Sequence, residues 1–226
     1  MIVTIDGPSG TGKTTVARKV AEKMGFVYFD TGAMYRALTW LILERNIDIS
    51  DPDQMNKILA EFDFRIHEEG KEKRYLIGKV DVTEVIRSQL VTSHVSKVAA
   101  EKEVRRSLLP IQHAFAQNKN VVFEGRDLGT VVFPNAEVKI YLDADPQVRA
   151  ERRLQEVLEK QSQDHLTYDH RKMLEEIIRR DAYDSNREIA PLRCPLDAHR
   201  IDTSSLTIDQ VIDSIAAIIK SFSSVS

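Results

Sequence analysis

The segment Gly7-Pro8-Ser9-Gly10-Thr11-Gly12-Lys13-Thr14 limits what this chain can fold into, because it fits G-x-x-x-x-G-K-[ST] at every fixed position. Glycines at those places let backbone amides crowd around phosphate oxygens, and a helix that follows aims its positive end at the same charge. The pattern needs a buried strand before it and a helix after it, and the sequence supplies both. Ile2-Val3-Thr4-Ile5 is a β-branched run stopped by Asp6-Gly7-Pro8, while Val16, Val20 and Met24, with Ala17 and Ala21 beside them, form a helical stripe that Gly25 ends. A random chain of 226 residues would match the bare pattern on the order of once per hundred. The strand and helix around it separate this match from a flexible glycine loop. Gly7, Pro8, Ser9, Gly10, Thr11, Gly12, Lys13, Thr14 and Thr15 are therefore expected to hold the phosphates of a nucleoside triphosphate such as ATP. In that arrangement Lys13 reaches the β and γ phosphates and the Thr14 hydroxyl sits on a magnesium ion (Mg2+).

Beyond this loop, the pattern alternates strands with helices. Phe26 to Phe29 reads as a second strand and Ala33 to Glu44 as a helix with Met34, Leu38, Leu41 and Ile42 on its apolar side. Asp51-Pro52 opens another helix through Leu59, since proline in a first turn forfeits no hydrogen bond. Asp63 to His67 and Arg74 to Ile77 alternate in polarity around a charged turn, as an exposed hairpin does. Val85 to Ala116 is helical in pattern, Asn120 to Phe123 is an apolar strand, and Val138 to Leu142 is another. Pro146 to Lys160 is a charged helix, a polar interval from Gln161 to Tyr168 leads to a second helix ending near Arg180, and Ile208 to Ile219 closes the chain as an amphipathic helix. Such alternation predicts an α/β fold of three layers, a parallel sheet covered on both faces.

The bulk properties narrow the partners. A length of 226 residues suits one core with insertions, and a net charge of -3 argues against binding a nucleic acid polymer, which demands a basic surplus. The single cysteine, Cys194, excludes an intrachain disulfide and suits a reducing compartment; a small side chain packed in a loop beside Pro195 is expected there. No basic stretch followed by an apolar run precedes Ile2, and no apolar run is long enough for a bilayer, so a cytoplasmic protein with no membrane partner is expected. No surplus apolar helix face asks for a second copy, which predicts a monomer.

Three polar clusters remain to be explained. Asp30-Thr31-Gly32-Ala33-Met34-Tyr35-Arg36 follows the second strand, with Thr31 expected to cap the helix, and Glu124-Gly125-Arg126-Asp127-Leu128-Gly129-Thr130 follows another. Ligands of an open parallel sheet collect at the carboxyl ends of its strands, where both clusters fall. The third, Arg179-Arg180-Asp181-Ala182-Tyr183-Asp184-Ser185-Asn186-Arg187, gathers arginines that suit the charge of a phosphoryl group in transfer. Arg149, Arg152 and Arg153, on a helix before a polar interval, are placed to do the same from a mobile lid. A GTP-dependent switch is set aside because the nearest guanine signature, Asn118-Lys119-Asn120-Val121, has valine where aspartate is required.

On these blocks the chain resembles the bacterial-type cytidylate kinases, members of the P-loop nucleoside monophosphate kinases. Gly7 to Lys13, Asp30 to Arg36, Gly125-Arg126-Asp127-Leu128-Gly129-Thr130-Val131-Val132-Phe133-Pro134, and Arg180-Asp181 through Asn186-Arg187 with Ala190-Pro191-Leu192 occur in that family's order, nearly end to end. The resemblance implies a core of approximately 1–32, 85–150 and 170–226, an acceptor-binding insertion of approximately 33–84 and a short lid of approximately 151–169. It implies phosphoryl transfer from ATP to CMP or dCMP, with a kinase for UMP, another monophosphate or a small metabolite as the alternative. Arg36, Arg126 and Arg187 would grip the acceptor phosphate, Thr31, Arg105 and Asp127 would read cytosine, and Ser96, Arg180 and Asp184 would meet the sugar. Lys13, Arg126, Asp127 and Arg187 would surround the reacting phosphates. The sequence departs from the common form in carrying Thr31 for serine, Thr14 for a small residue and a lid a few residues longer.

Overall fold

The computed structural model describes residues 1–69, 72–160 and 169–223. Of the expected lid, approximately 151–169, residues 161–168 lie outside the described residues, as do 70 and 71. The chain divides into two compact units, Met1–Phe29 with Phe115–Ser226, and Asp30–Ala114.

The first unit is built on a five-stranded sheet in the order β2 (Val27–Asp30), β6 (Val121–Glu124), β1 (Ile2–Asp6), β7 (Val138–Asp143) and β8 (His199–Asp202), the strands β3 (Phe64–Glu69), β4 (Glu72–Ile77) and β5 (Val80–Asp81) belonging to the second unit. Its elements in chain order are β1 (Ile2–Asp6), α1 (Lys13–Met24) and β2 (Val27–Asp30), whose last residue opens the second unit. The pairings of β1 with β6 (Val121–Glu124) and β7 (Val138–Asp143), and of β7 with β8 (His199–Asp202), are all parallel. Ile5 stands beside Glu124 and Asp6 beside Tyr141 in that register. Since β1 and β6 are parallel neighbours, the loops leaving their carboxyl ends emerge side by side, which sets the phosphate loop against the turn after Glu124.

Strand alternation decides what each face carries. Val3 and Ile5 pack with Val16, Ala17 and Val20 of α1, Val138, Ile140 and Leu142 of β7, and Val211, Ile212, Ile215 and Ile219 of the last helix, Ile208–Ser223. Thr4 and Asp6 alternate with them and so point to the other face, where the rings of Phe29, Phe115, Phe123 and Phe133 meet with centroids 4.4 to 6.2 Å apart. Both faces of β1 are therefore covered, as the β-branched run predicts.

Nothing in the hydrophobic pattern predicts β8. Its four residues His-Arg-Ile-Asp are mostly exposed, and it is held as an edge strand by pairing with β7 and by the Thr203 amide on the Asp143 carbonyl at 2.8 Å. The helix Pro146–Lys160 runs as expected, whereas the next, His170–Asn186, continues past Arg180, where the sequence pattern ends it. Only Ile177 and Asp184 of that helix are buried, so it lacks the apolar stripe that marks helices in a sequence. Cys194 is exposed rather than packed in its loop.

The second unit contains helices Thr31–Glu44 and Pro52–Ala60 and a three-stranded antiparallel sheet of Phe64–Glu69, Glu72–Ile77 and Val80–Asp81. Asp51 caps the second of these helices by accepting the Asp53 and Gln54 amides, ahead of Pro52. Phe62, Phe64 and Tyr75 stack in series at 5.9 and 6.0 Å. The segment Val85 to Ala116, which reads as one helical stretch, is a 3-10 turn, Val85–Arg87, and two helices, Gln89–Ala100 and Lys102–Ala116. Ser88 caps the first helix through the Val91 amide, and Glu101 breaks into extended backbone at ψ 128. No helix among the described residues is long and apolar enough to cross a membrane.

Candidate active site

The phosphate loop leaves the end of β1 at Gly7, whose φ is +147; a Cβ there would lie 2.0 Å from the Leu142 carbonyl oxygen, so only glycine fits. At the far end Gly12 precedes α1 in the left-handed region, and no side chain caps the helix. The first amides of α1 are thus left without a side-chain acceptor, an arrangement that suits a phosphate. Lys13 is 7% exposed, and its Nζ donates to the Pro8 carbonyl at 2.6 Å. Burial pushes its ammonium well below the usual lysine range and Arg126 pushes the same way, against the pull of Glu124 and Asp181. A bound polyanion reverses that balance, because it brings the negative charge the buried cation lacks.

Thr14 and Glu124 meet at the head of α1: the threonine hydroxyl donates to Glu124 Oε1 at 2.8 Å. One hydroxyl and one carboxylate are hard oxygen donors of the kind magnesium takes when phosphates and waters complete its shell, so these residues fit the ion. No group of three or more His, Cys, Asp or Glu side chains that could hold a metal occurs among the described residues.

The loop's apex is braced from below. Ser9 donates its amide to Asp181 Oδ1 at 3.2 Å and its carbonyl accepts from Arg149 Nη1 at 2.9 Å; the same guanidinium bonds Asp181 and the Ala144 carbonyl. Arg149, expected in a lid, is buried here, with one of its bonds to the phosphate loop and the others to Asp181 and Ala144. Arg152 donates to the Thr203 hydroxyl and carbonyl, and Arg153 pairs with Glu156.

After β6 the chain turns through Gly125 and Arg126 into a π turn, Leu128–Val132. Arg126 Nε lies 3.4 Å from Asp184 Oδ2, and Arg187 Nη2 donates to Asp127 Oδ1 at 2.9 Å. Arg180, Asp181 and Asp184 lie on one helix and Arg187 ends it. Two arginines and two carboxylates of the predicted set, Arg126, Arg187, Asp127 and Asp184, are thus joined by two ion pairs in this unit.

The second unit holds the other predicted residues. Asp30, not Thr31, caps the helix Thr31–Glu44 by accepting the Ala33 amide at 2.8 Å, and Thr31 becomes its first residue. Aspartate wins because it precedes the first helical residue in extended backbone, from which its carboxylate reaches back to the helix amides. Its second oxygen takes Arg36 Nη2 at 2.9 Å, while Arg36 Nε is buried without a hydrogen-bond partner. Arg105 is buried, donates to the Ala99 carbonyl at 2.9 Å and lies over the Tyr35 ring at 5.6 Å. Ser96 sits half-buried on Gln89–Ala100.

Residues 3–221 match the family model for cytidylate kinase. The chain belongs to the cytidylate kinase family. The cytidylate kinase of Protochlamydia amoebophila (strain UWE25) is 52% identical over 212 residues, covering 94% of this chain and 93% of that protein. That of Shouchella clausii (strain KSM-K16) is 43% identical over 221 residues, covering 98% and 96%. A solved structure of an uncharacterized protein from Eubacterium ventriosum ATCC 27560 superposes with a TM-score of 0.52 at 13% identity over 98% of this chain and 99% of its own, a likeness of fold alone.

For this cytidylate kinase family member the sequence places Asp30, Glu124 and Asp181 in the polar clusters without giving any of them a role, and it does not single out Asp6. Glu124 carried a usable signal, being a charged residue at the end of an apolar strand. Asp6 reads as a turn residue, Asp30 stands one position before the expected cap with its partners only three and six residues on, and Asp181 finds its partners 32 and 172 positions away.

Proposed function

We propose that this chain transfers the γ-phosphoryl group of ATP to CMP or dCMP, giving ADP and CDP or dCDP. The observation that carries the reading is the buried Lys13 at the head of an uncapped helix, with its charge disfavoured until a polyanion arrives and with Arg126, Arg180, Asp181 and Glu124 acting on it. Full-length membership of the cytidylate kinase family supports cytosine as the base.

In this reading an oxygen of the acceptor phosphate attacks the γ phosphorus as the bond to the bridging oxygen of ADP breaks. The acceptor phosphate is already ionised, so no residue has to remove a proton. The amides from Gly7 to Thr15 and Lys13 hold the donor phosphates, and Arg126 and Arg187 hold the acceptor phosphate and offset charge on the moving group. Thr14 and Glu124 would hold magnesium, which shields the negative oxygens when bound. The second unit contributes Arg36 to the acceptor phosphate, Thr31 and Arg105, with Asp127, to the base, and Ser96, with Arg180 and Asp184, to the sugar. An arginine and a carboxylate bonding the base discriminate well, since a wrong base leaves a buried partner unpaired. In this proposal 33–84 is the acceptor-binding insertion and 151–169 the lid. A monomer in the cytoplasm completes it, supported by the lone Cys194 and tested by size measurement in solution.

A coupled assay of ADP release across CMP, dCMP, UMP and AMP decides the acceptor. The highest kcat/KM is expected for CMP and dCMP; a higher value for UMP or AMP removes the assignment. ATP binding without acceptor-dependent turnover marks a nucleotide-binding regulator instead.

A further inference from the structure

Asp6 ends β1 directly before the phosphate loop, yet its side chain serves the other loop. It is 1% exposed, and its two oxygens accept two successive amides, Oδ1 from Leu128 at 3.0 Å and Oδ2 from Gly129 at 2.8 Å. Those amides start the π turn that immediately follows Arg126 and Asp127. The turn is closed beyond them by Val131 and Val132 bonding the Asp127 carbonyl and by Phe133 bonding that of Leu128. Gly129 itself is wedged: a Cβ there would meet Pro195 Cγ at 3.0 Å, Thr4 Oγ1 at 3.1 Å and Lys139 Cδ at 3.3 Å. The backbone that carries Arg126 and Asp127 is thus clamped to β1 by one buried carboxylate.

We propose that Asp6 is a positioning residue for the acceptor phosphate, its carboxylate fixing the turn from which Arg126 and Asp127 project. This rests on the function proposed above. Two amide donors on one carboxylate favour the ionised form, because a protonated carboxyl offers one of them only a hydroxyl oxygen, a weaker acceptor. Burial pushes the Asp6 carboxyl up to about 7, against the two amide bonds, which hold it down. The charged and titratable groups around it are Asp127 from the turn, which raises it, Lys13 at the head of α1, which lowers it, Tyr141 on β7 and Cys194 from the loop before β8. Near neutral pH the clamp is therefore made or loosened by one proton, and the acceptor side is expected to tighten as the pH rises.

The test compares wild type with Asp6→Asn, whose amide accepts one backbone N–H and opposes the other at every pH. The ratio of their kcat/KM values for CMP, wild type over variant, cancels the titration of CMP itself. It is expected to be about tenfold larger at pH 8.5 than at pH 6, as loss of a charge-assisted bond implies, with KM for ATP within about twofold in both proteins. A ratio that is flat with pH, or a loss confined to ATP, overturns the proposal. A second readout needs no variant and no substrate: the Gly129 and Leu128 amide resonances of the wild-type chain, followed from pH 5.5 to 8.5, should shift together with a midpoint near the Asp6 value. Their failure to shift overturns the clamp even if the variant does not fold. A wrong acceptor assignment would leave this amide titration intact, so the two failures are distinguishable.

Discussion

Thr14 Oγ1 donates to Glu124 Oε1 across 2.8 Å, tying the first turn of α1 to the last residue of β6. Two strands that are neighbours in space and remote in sequence thereby bring a hydroxyl and a carboxylate to one point. If that point takes the metal, Thr14→Val and Glu124→Gln should each raise the magnesium concentration needed for half-maximal rate by about tenfold, the effect typical of disturbing a metal's oxygen shell. Initial rates against free magnesium at saturating ATP and CMP measure it, and an unchanged half-saturation in both variants rules the assignment out.

Lys13 should be worth about 10² to 10³ in kcat, the scale of a preorganised group aimed at developing phosphate charge. Lys13→Met is expected to lose that factor while KM for CMP stays within a few-fold. Because burial and Arg126 hold its proton less firmly than in a free lysine, the active ammonium is depleted as pH rises. The profile of kcat/KM for ATP should bend down at a lower pH than an ordinary lysine allows, and a bend only in the usual lysine range would contradict this.

How much of this was legible before the structure follows from which signals are local. Backbone geometry writes itself into residue type, so Gly7, Gly12 and Gly25 marked the phosphate loop and the end of α1, and the β-branched run marked β1. Paired clusters at strand ends were legible too, since Arg126 and Asp127 follow an apolar strand. Helix breaks were not: Val85 to Ala116 keeps an apolar period across Glu101, and His170–Asn186 has almost none to keep. The edge strand His199–Asp202 owes its existence to β7 rather than to its own residues. Asp6 illustrates the same limit at the site, because its partners, Leu128 and Gly129, stand 122 and 123 positions away.

Arg187 and Asp127 form an ion pair in which both side chains are buried, 5% and 8% exposed, and Arg187 also donates Nε to the Ala190 carbonyl. Arg187→Ala strips the Asp127 carboxylate of that partner, a change that costs about 3–5 kcal/mol. For a chain of this size that is a fall in Tm of roughly 10 °C. Arg187→Lys should recover only part of it, since one ammonium cannot reproduce a fork that reaches a carboxylate and a carbonyl at once. Thermal melts of the two variants check the order; equal Tm values for Arg187→Ala and wild type would show that the pair contributes nothing.

Asp6 imposes a pH dependence on stability whose sign opposes that of an ordinary carboxylate in a salt bridge. Its carboxyl takes up a proton at about 7 in the folded chain and at 3.8 in the unfolded one. Between those values the folded state binds more protons than the unfolded state, so stability falls as the pH rises through the window and levels off above it. The full span is about 4 kcal/mol. Asp6→Asn cannot ionise and lacks this slope, while every other titrating group is common to both proteins. The Tm of wild type minus that of Asp6→Asn should therefore be larger at pH 5 than at pH 8, over the same interval in which the catalytic ratio moves toward wild type. A Tm difference that is constant across those pH values would mean that the folded chain leaves Asp6 ionised throughout, and the proton-controlled clamp would be lost with it.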